Sequence, residues 1–384
     1  MKKNNGLSSP VEQVRRAITT LVIAITVAFM LSINQRSSAK PKISVSSSSP
    51  QDFFPDKANI ESNRIVVNLS TCEAILEDAF LQGTQSTMAT FAMWRATYGA
   101  PGDAVRLCLS SKLSSECPEQ IGLSLDTISW LSTDISEALA IEPKHATHSA
   151  RLIAAHGGGF VCGSAARYLG PILFGTAERA SINTYVVEYD LAPNSLSALD
   201  QMIDIYDKTN TRNDTFIAVL GDSAGGALAA GLALSRQVSL LMLTSPMLAA
   251  RQWATRFFYG YCNLSAQIPI SGSKHITPQG LAYVWGARFA MAPTSADTLR
   301  ADPNFAPFEA SDSALRHLAN HTIIISSDND PLRFEARLFA DRLGDLGASV
   351  EFVNYNDLAH DPILRSRALW EAALIKYQNE LLFQ

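Results

Sequence analysis

The sequence is short of cysteine, charge and repetition, and each shortage removes a class of protein. Five cysteines in 384 residues are too few for a disulfide scaffold, and no Cys-x-x-Cys pair suggests a zinc site. Charged residues make up 17% and hydrophobic ones 47%, which excludes a disordered chain and a coiled coil. Basic residues number 31 against 36 acidic ones, a formal charge of −5. No basic excess points to nucleic acid. No internal repeat is found, and only one long apolar run stands out, Ile18–Ile33. The length allows one large domain or two ordinary ones.

That apolar run follows Lys2, Lys3, Arg15 and Arg16, and the small residues Ser37-Ser38-Ala39 come after it. A positive start, a short apolar core and a small-residue site predict a signal peptide over residues 1–39, cleaved after Ala39. Sixteen residues are short for a membrane span of about 20. The competing expectation is an uncleaved signal anchor, with membrane attachment through residues 18–33. Either places the protein outside the cytoplasm, as a secreted, periplasmic or membrane-anchored chain. The leader is net basic, so the remainder carries −9. Residues 40–59, rich in serine with Pro41 and Pro50, predict a flexible tether. Export would permit disulfides, and Cys108 and Cys117 are near enough in sequence to pair, but five cysteines leave the connectivity open.

Residues 60–384 alternate strand and helix signals. Apolar runs predict strands at Leu123–Trp130, Leu152–Ala155, Thr184–Tyr189, Phe216–Gly221, Leu240–Thr244, Thr322–Ser326 and Val350–Tyr355. Helical stretches lie at Leu196–Asp207, Ala224–Ser235, Phe334–Leu346 and Leu364–Leu382. Buried apolar strands alternating with helices predict an α/β fold with a mostly parallel sheet covered on both faces. Two regions depart from the alternation, residues 60–98 and 247–308. Long excursions of this kind form lids or binding elements.

One constellation carries chemistry. Gly221-Asp222-Ser223-Ala224-Gly225-Gly226 has the G-x-S-x-G form and sits between an apolar strand and an Ala/Leu-rich helix. A nucleophile elbow needs that context, with small residues such as Gly221 and Gly225 where strand and helix crowd the serine. Ser223 Oγ would stand exposed at the strand end, with the helix N-terminus facing a developing oxyanion. Upstream, His156-Gly157-Gly158-Gly159-Phe160 follows the strand at Leu152. A glycine run lets backbone N–H groups approach a ligand, so this loop would supply two oxyanion donors and the Ala224 amide a third. His156 is expected to fix the loop rather than act as a base. The base and acid should follow in the order acid, then histidine. Asp328 and Asp330 follow one predicted strand and His360 the next, so either carboxylate could meet His360 beside Ser223. His145, His148, His275, His317 and His321 lack such placement. Asp222 is expected to bond locally, away from the relay, and Cys162 to be a small buried residue.

Together, His-Gly-Gly-Gly, Gly-Asp-Ser-Ala-Gly-Gly, Asp330-Pro331-Leu332-Arg333 and the late His360 resemble the hormone-sensitive-lipase-like branch of the α/β-hydrolases. Tyr189-Asp190-Leu191-Ala192-Pro193 is similar to that family's Tyr-Arg-Leu-Ala-Pro, with Asp190 in place of arginine and Asn194 in place of the following glutamate. Phe334 departs from the aspartate common after Asp-Pro-Leu-Arg. The resemblance implies an α/β-hydrolase fold with a helical cap. It implies a Ser223, His360, Asp330 triad, oxyanion donors at Gly158, Gly159 and Ala224, and hydrolysis of small-molecule or lipid esters through an acyl-enzyme, with no cofactor or metal. The alternatives are a non-catalytic ligand-binding protein on the same fold, or an acyltransferase or amidase using the same residues. Candidate walls for an acyl pocket are Phe80, Phe91, Trp94, Tyr98, Phe257, Phe258, Tyr259, Tyr261, Tyr283 and Trp285.

Overall fold

The computed structural model describes residues 69–98, 128–146, 149–166, 170–210, 216–250, 278–360 and 363–382. The leader, the tether, Cys108, Cys117, His148, His275 and the aromatic cluster at 257–261 lie outside the described residues. Among the described residues, no helix is long and apolar enough to cross a membrane.

Eight strands form one sheet in the order β1-β2-β4-β3-β5-β6-β7-β8. They are β1 Ile128–Ser132, β2 Glu137–Ile141, β3 Ala150–Ala155, β4 Asn183–Glu188, β5 Phe216–Asp222, β6 Leu240–Thr244, β7 His321–Asn329 and β8 Val350–Ala359. β1 and β2 run antiparallel to their neighbours, and every pairing from β4 through β3 to β8 is parallel. The mostly parallel sheet is the one expected. Every residue of β3, β5 and β6 is buried, because helices cover both faces and no side chain can alternate toward water.

On one face lie α4 Ala198–Thr209, α5 Ala224–Ser235 and α7 Arg333–Asp345. They pack Met202, Ile205, Leu228, Leu232 and Phe339 onto the sheet. On the other lie α3 Gly170–Ala180 and α8 Ile363–Leu382, which contribute Leu173, Trp370 and Leu374. Burying each such large apolar side chain contributes about 1.5–3 kcal/mol. Two helices from the predicted excursions, α1 Leu69–Thr84 and α6 Pro278–Arg288, pack backbone to backbone through Gly83 and Gly286. A Cβ on Gly83 would stand 2.1 Å from the Tyr283 carbonyl oxygen, and one on Gly286 would stand 2.0 Å from that of Phe80. Helix α2, Met88–Tyr98, follows α1.

The strand order positions the site. The chain leaves β3 to form β4 on one side, then crosses back to form β5 on the other. This reversal opens a crevice beyond the carboxyl ends of β3 and β5, where ligands bind in open α/β sheets. His156-Gly157-Gly158-Gly159 leaves one strand there and Ser223 leaves the other.

Candidate active site

Ser223 is the turn between β5 and α5, with φ 52° and ψ −117°. That conformation costs a non-glycine residue roughly 1–3 kcal/mol. Three hydrogen bonds hold it. The Ser223 amide donates to the Thr244 carbonyl, and its carbonyl accepts from the amides of Gly226 and Met247, each at 2.9 Å. The small residues expected around it are required by space. A Cβ on Gly221 would meet the Gly225 carbonyl oxygen at 2.3 Å, and one on Gly225 would meet the Ala155 carbonyl oxygen at 2.2 Å. Gly225 therefore lets α5 start directly against the end of β3.

Ser223 Oγ lies 3.1 Å from His360 Nε2, and His360 Nδ1 lies 3.1 Å from Asp330 Oδ2. Asp330 is fully buried, with its other oxygen accepting the Leu332 amide at 2.9 Å. Because a carboxylate accepts, the Nδ1 of His360 is assigned the proton and Nε2 the lone pair that faces Ser223. Serine comes from β5, Asp330 from the end of β7, and His360 from the end of β8. Both of the latter strands run past their predicted ends. Asn329 pairs with Ala359 across a register shift, which brings the acid and the histidine to one level. Asp328, the other acid read from the sequence, faces elsewhere. Its carboxylate accepts from Asn354 Nδ2 at 2.6 Å, and Arg333 sits beside it.

The glycine loop lies directly over the elbow. A Cβ on Gly157 would come within 2.5 Å of Asp222 Oδ2 and 3.2 Å of Ser223 Cβ. Asp222 therefore lies beneath the loop rather than on His360. Gly158 and Gly159 have φ of 123° and 61°, conformations that favour glycine. Among the described residues, the amides of Gly158, Gly159 and Ala224 donate to no protein acceptor. His156 is fully buried and stacks on the Tyr189 ring. Its Nδ1 donates to the Gly157 carbonyl at 2.7 Å, and its own carbonyl accepts the Tyr189 hydroxyl at 2.7 Å. Burial lowers its pKa to about 4, so the imidazole is neutral and structural. Cys162 is partly buried, with its thiol pushed up to about 11 by burial, and stays a thiol near neutral pH.

His321 stacks on Tyr377, and Phe80, Phe91 and Trp285 are core side chains. Tyr283 meets the Ser86 hydroxyl at 2.9 Å. Among the described residues, no group of three His, Cys, Asp or Glu could hold a metal ion.

Three residues that sequence reasoning passed over support the site. Glu335 on α7 is buried, and burial raises its pKa well above the usual carboxylate range. Its carboxyl accepts the Leu248 amide at 3.0 Å, bracing the segment whose Met247 amide holds Ser223. Its place five residues after Asp330 was the available signal. Arg288 and Arg95 flank the far side of the glycine loop. Arg288 is fully buried, and burial lowers its pKa to about 9. A lone arginine in an apolar helix, Trp285-Gly286-Ala287-Arg288, was the trace it left.

Comparison with known proteins agrees with this architecture. The model of the α/β-hydrolase fold matches residues 152–364, more than half of the chain. A curated relative, the α/β hydrolase R526 of Acanthamoeba polyphaga mimivirus, is 24% identical over 226 residues, 56% of this chain. The match spans 62% of that relative's length. Among solved structures, a bacterial heroin esterase is similar with a TM-score of 0.55 and 22% identity, over 71% of this chain and 90% of that one. Carboxyl esterase 2 of Tuber melanosporum has a TM-score of 0.52 and 21% identity, over 66% and 87%. An esterase of Pyrobaculum calidifontis has a TM-score of 0.52 and 20% identity, over 83% and 94%.

Proposed function

This chain belongs to the α/β-hydrolase family, as an esterase-like and divergent member of its hormone-sensitive-lipase-like branch, and from that premise we propose that it is a serine carboxylesterase. The observation that carries the proposal is the relay Ser223–His360–Asp330, with both hydrogen bonds at 3.1 Å and the serine held at a strained elbow.

In this mechanism Ser223 Oγ attacks the carbonyl carbon of an ester as its proton passes to His360 Nε2. Asp330 holds the imidazole in the required tautomer and stabilises the imidazolium. The carbonyl oxygen becomes an oxyanion and takes the amides of Gly158, Gly159 and Ala224. When the tetrahedral centre collapses, the bond to the alkoxy oxygen breaks and His360 returns the proton to the leaving alcohol. Water then adds to the acyl-enzyme with His360 again as base, and the acid departs as Ser223 recovers its proton. Oxyanion donors of this kind contribute about 10²–10³ each in kcat. Helices α1, α2 and α6 would form the cap over the acyl group. The apolar run at residues 18–33 would export the enzyme or tether it to a membrane.

The test offers purified protein p-nitrophenyl esters from acetyl to dodecanoyl, beside Ser223→Ala. Turnover by the wild type and its loss in the variant are expected. Silence with every ester, together with no labelling by a fluorophosphonate, would leave the ligand-binding alternative.

A further inference from the structure

The glycine loop closes on itself where the Gly158 carbonyl accepts the Val161 and Cys162 amides, each at 3.1 Å, and its exit is braced by further contacts. Phe160, directly after Gly159, has φ 63°, a left-handed conformation that a bulky side chain resists. The contacts that brace Phe160 come from outside the sheet. The guanidinium of Arg288, on α6, lies over the Phe160 ring with Cζ 3.8 Å from the centroid. The Phe160 carbonyl accepts the Ala192 amide at 2.7 Å, and the Ala192 carbonyl in turn accepts Nη2 of Arg95, on α2. The loop also rests on α6 one residue earlier, where a Cβ on Gly159 would stand 3.3 Å from Val284 Cγ1.

Arg288 is an unusual choice for a packing residue. Among the described residues no carboxylate pairs with it, and its Nε and Nη2 have no hydrogen-bond partner. Nη1 donates to the Phe305 carbonyl at 2.8 Å. Phe305 and Trp285 supply further ring faces at 5.3 and 5.5 Å. A buried charge without a counter-ion destabilises a core that methionine or leucine would fill. A flat cation held by aromatic faces instead gives a directional contact that fixes a ring.

We propose that Arg288, aided by Arg95, is a positioning residue that locks Phe160 and thereby holds the Gly158 and Gly159 amides where the substrate oxyanion forms. This rests on the esterase function proposed above. The helices over the site would then set the rate of acyl transfer, beyond walling the acyl group.

Arg288→Met keeps the volume and removes the cation, and Arg288→Lys keeps charge but loses the flat fork. Each would be assayed for kcat and KM, with active sites counted by fluorophosphonate labelling carried to completion. Inhibition by a trifluoromethyl ketone, whose adduct places an oxyanion in the hole, is measured in parallel. In both variants kcat per titrated site is expected to fall on the order of 10- to 100-fold, the scale for a misplaced catalytic group. KM should move little, and ketone affinity should weaken in proportion to kcat/KM. A loss of thermal stability alone would move neither quantity per titrated site. Full kcat per site in either variant would overturn the proposal. Should neither variant fold, Phe160→Leu removes the ring that Arg288 grips and is expected to give the same fall, with an unchanged kcat overturning the inference. A wild type silent toward esters and fluorophosphonate would overturn the esterase function and this inference together. An active wild type with unaffected variants would overturn the inference alone.

Discussion

Replacing Asp330 by asparagine is a demanding perturbation, because two acidic residues compete in the sequence and only one meets the histidine. Asp330 presents two acceptor oxygens, one to the Leu332 amide at 2.9 Å and one to His360 Nδ1 at 3.1 Å. Asparagine has a single acceptor oxygen. If it keeps the Leu332 bond, its NH2 group faces Nδ1 and forces the proton onto Nε2, where it blocks acceptance from Ser223. That tautomer error costs about 10⁴ in kcat in enzymes with this relay, or roughly 5 kcal/mol of transition-state stabilisation. Among the described residues Asp328→Asn disturbs Asn354 and Arg333, and it should cost less than about tenfold on the same scale. The assay is kcat/KM on a p-nitrophenyl ester per titrated active site, with thermal melts to confirm folding. A folded Asp330→Asn enzyme within tenfold of wild type, or a larger loss from Asp328→Asn, would refute the assignment of the acid.

Gly225→Ala would place a methyl 2.2 Å from the Ala155 carbonyl oxygen and 2.6 Å from that of His156. Since both are backbone atoms, we expect a loss of about 1–3 kcal/mol in urea unfolding and a fall of about tenfold or more in kcat/KM; an unchanged protein would show that α5 need not start so close. The His156 imidazole titrates near 4 in the fold and near 6.5 unfolded. Between those values the unfolded chain binds more protons, so stability should drop as pH falls from about 6.5 to 4, by at most about 3 kcal/mol. Urea melts at the two ends would show a smaller drop in His156→Asn, and an equal drop would clear this residue. Glu335 has the opposite sign, since its raised folded pKa makes its stabilisation complete below about 4.5 and lost as pH rises through the folded value. Glu335→Gln should therefore lie within about 1 kcal/mol of wild type in mild acid and gain relative to it in alkali, and a parallel pair of pH profiles would contradict a raised Glu335 pKa.

Much of this architecture was legible because local signals agreed with tertiary ones. The runs at Leu240–Thr244 and Ala224–Ser235 occur in the structure with those same boundaries, a five-residue leucine-rich run short enough for a buried strand and an alanine-rich run long enough for a helix. The elbow and the glycine loop were legible because close approach admits only small residues. Elements whose identity depends on partners were missed. β2, Glu137–Ile141, is short and its Glu-Ala-Leu-Ala pattern favours helix, yet it pairs between β1 and β4. α3 begins with Gly170-Pro171, a loop signal. The ends of β7 and β8, Ser327–Asn329 and Asn356–Ala359, are polar, and each is a strand because the other runs beside it. For the same reason Asp328 and Asp330 could be separated only by family resemblance, until the pairing turned one toward His360 and the other toward Asn354. Arg288 and Glu335 left only faint signals, because a sequence does not disclose which charged side chains are buried.

In the proposed mechanism Ser223 carries the acyl group during turnover. This step is tested most directly by acid-quenching the enzyme during hydrolysis of a slowly deacylated ester and mapping the adduct by peptide mass spectrometry. The acyl mass is expected on the peptide containing Ser223, formed no more slowly than turnover and absent in Ser223→Ala. Ester turnover with no covalent adduct, or with the acyl group on another residue such as Cys162, would contradict the mechanism.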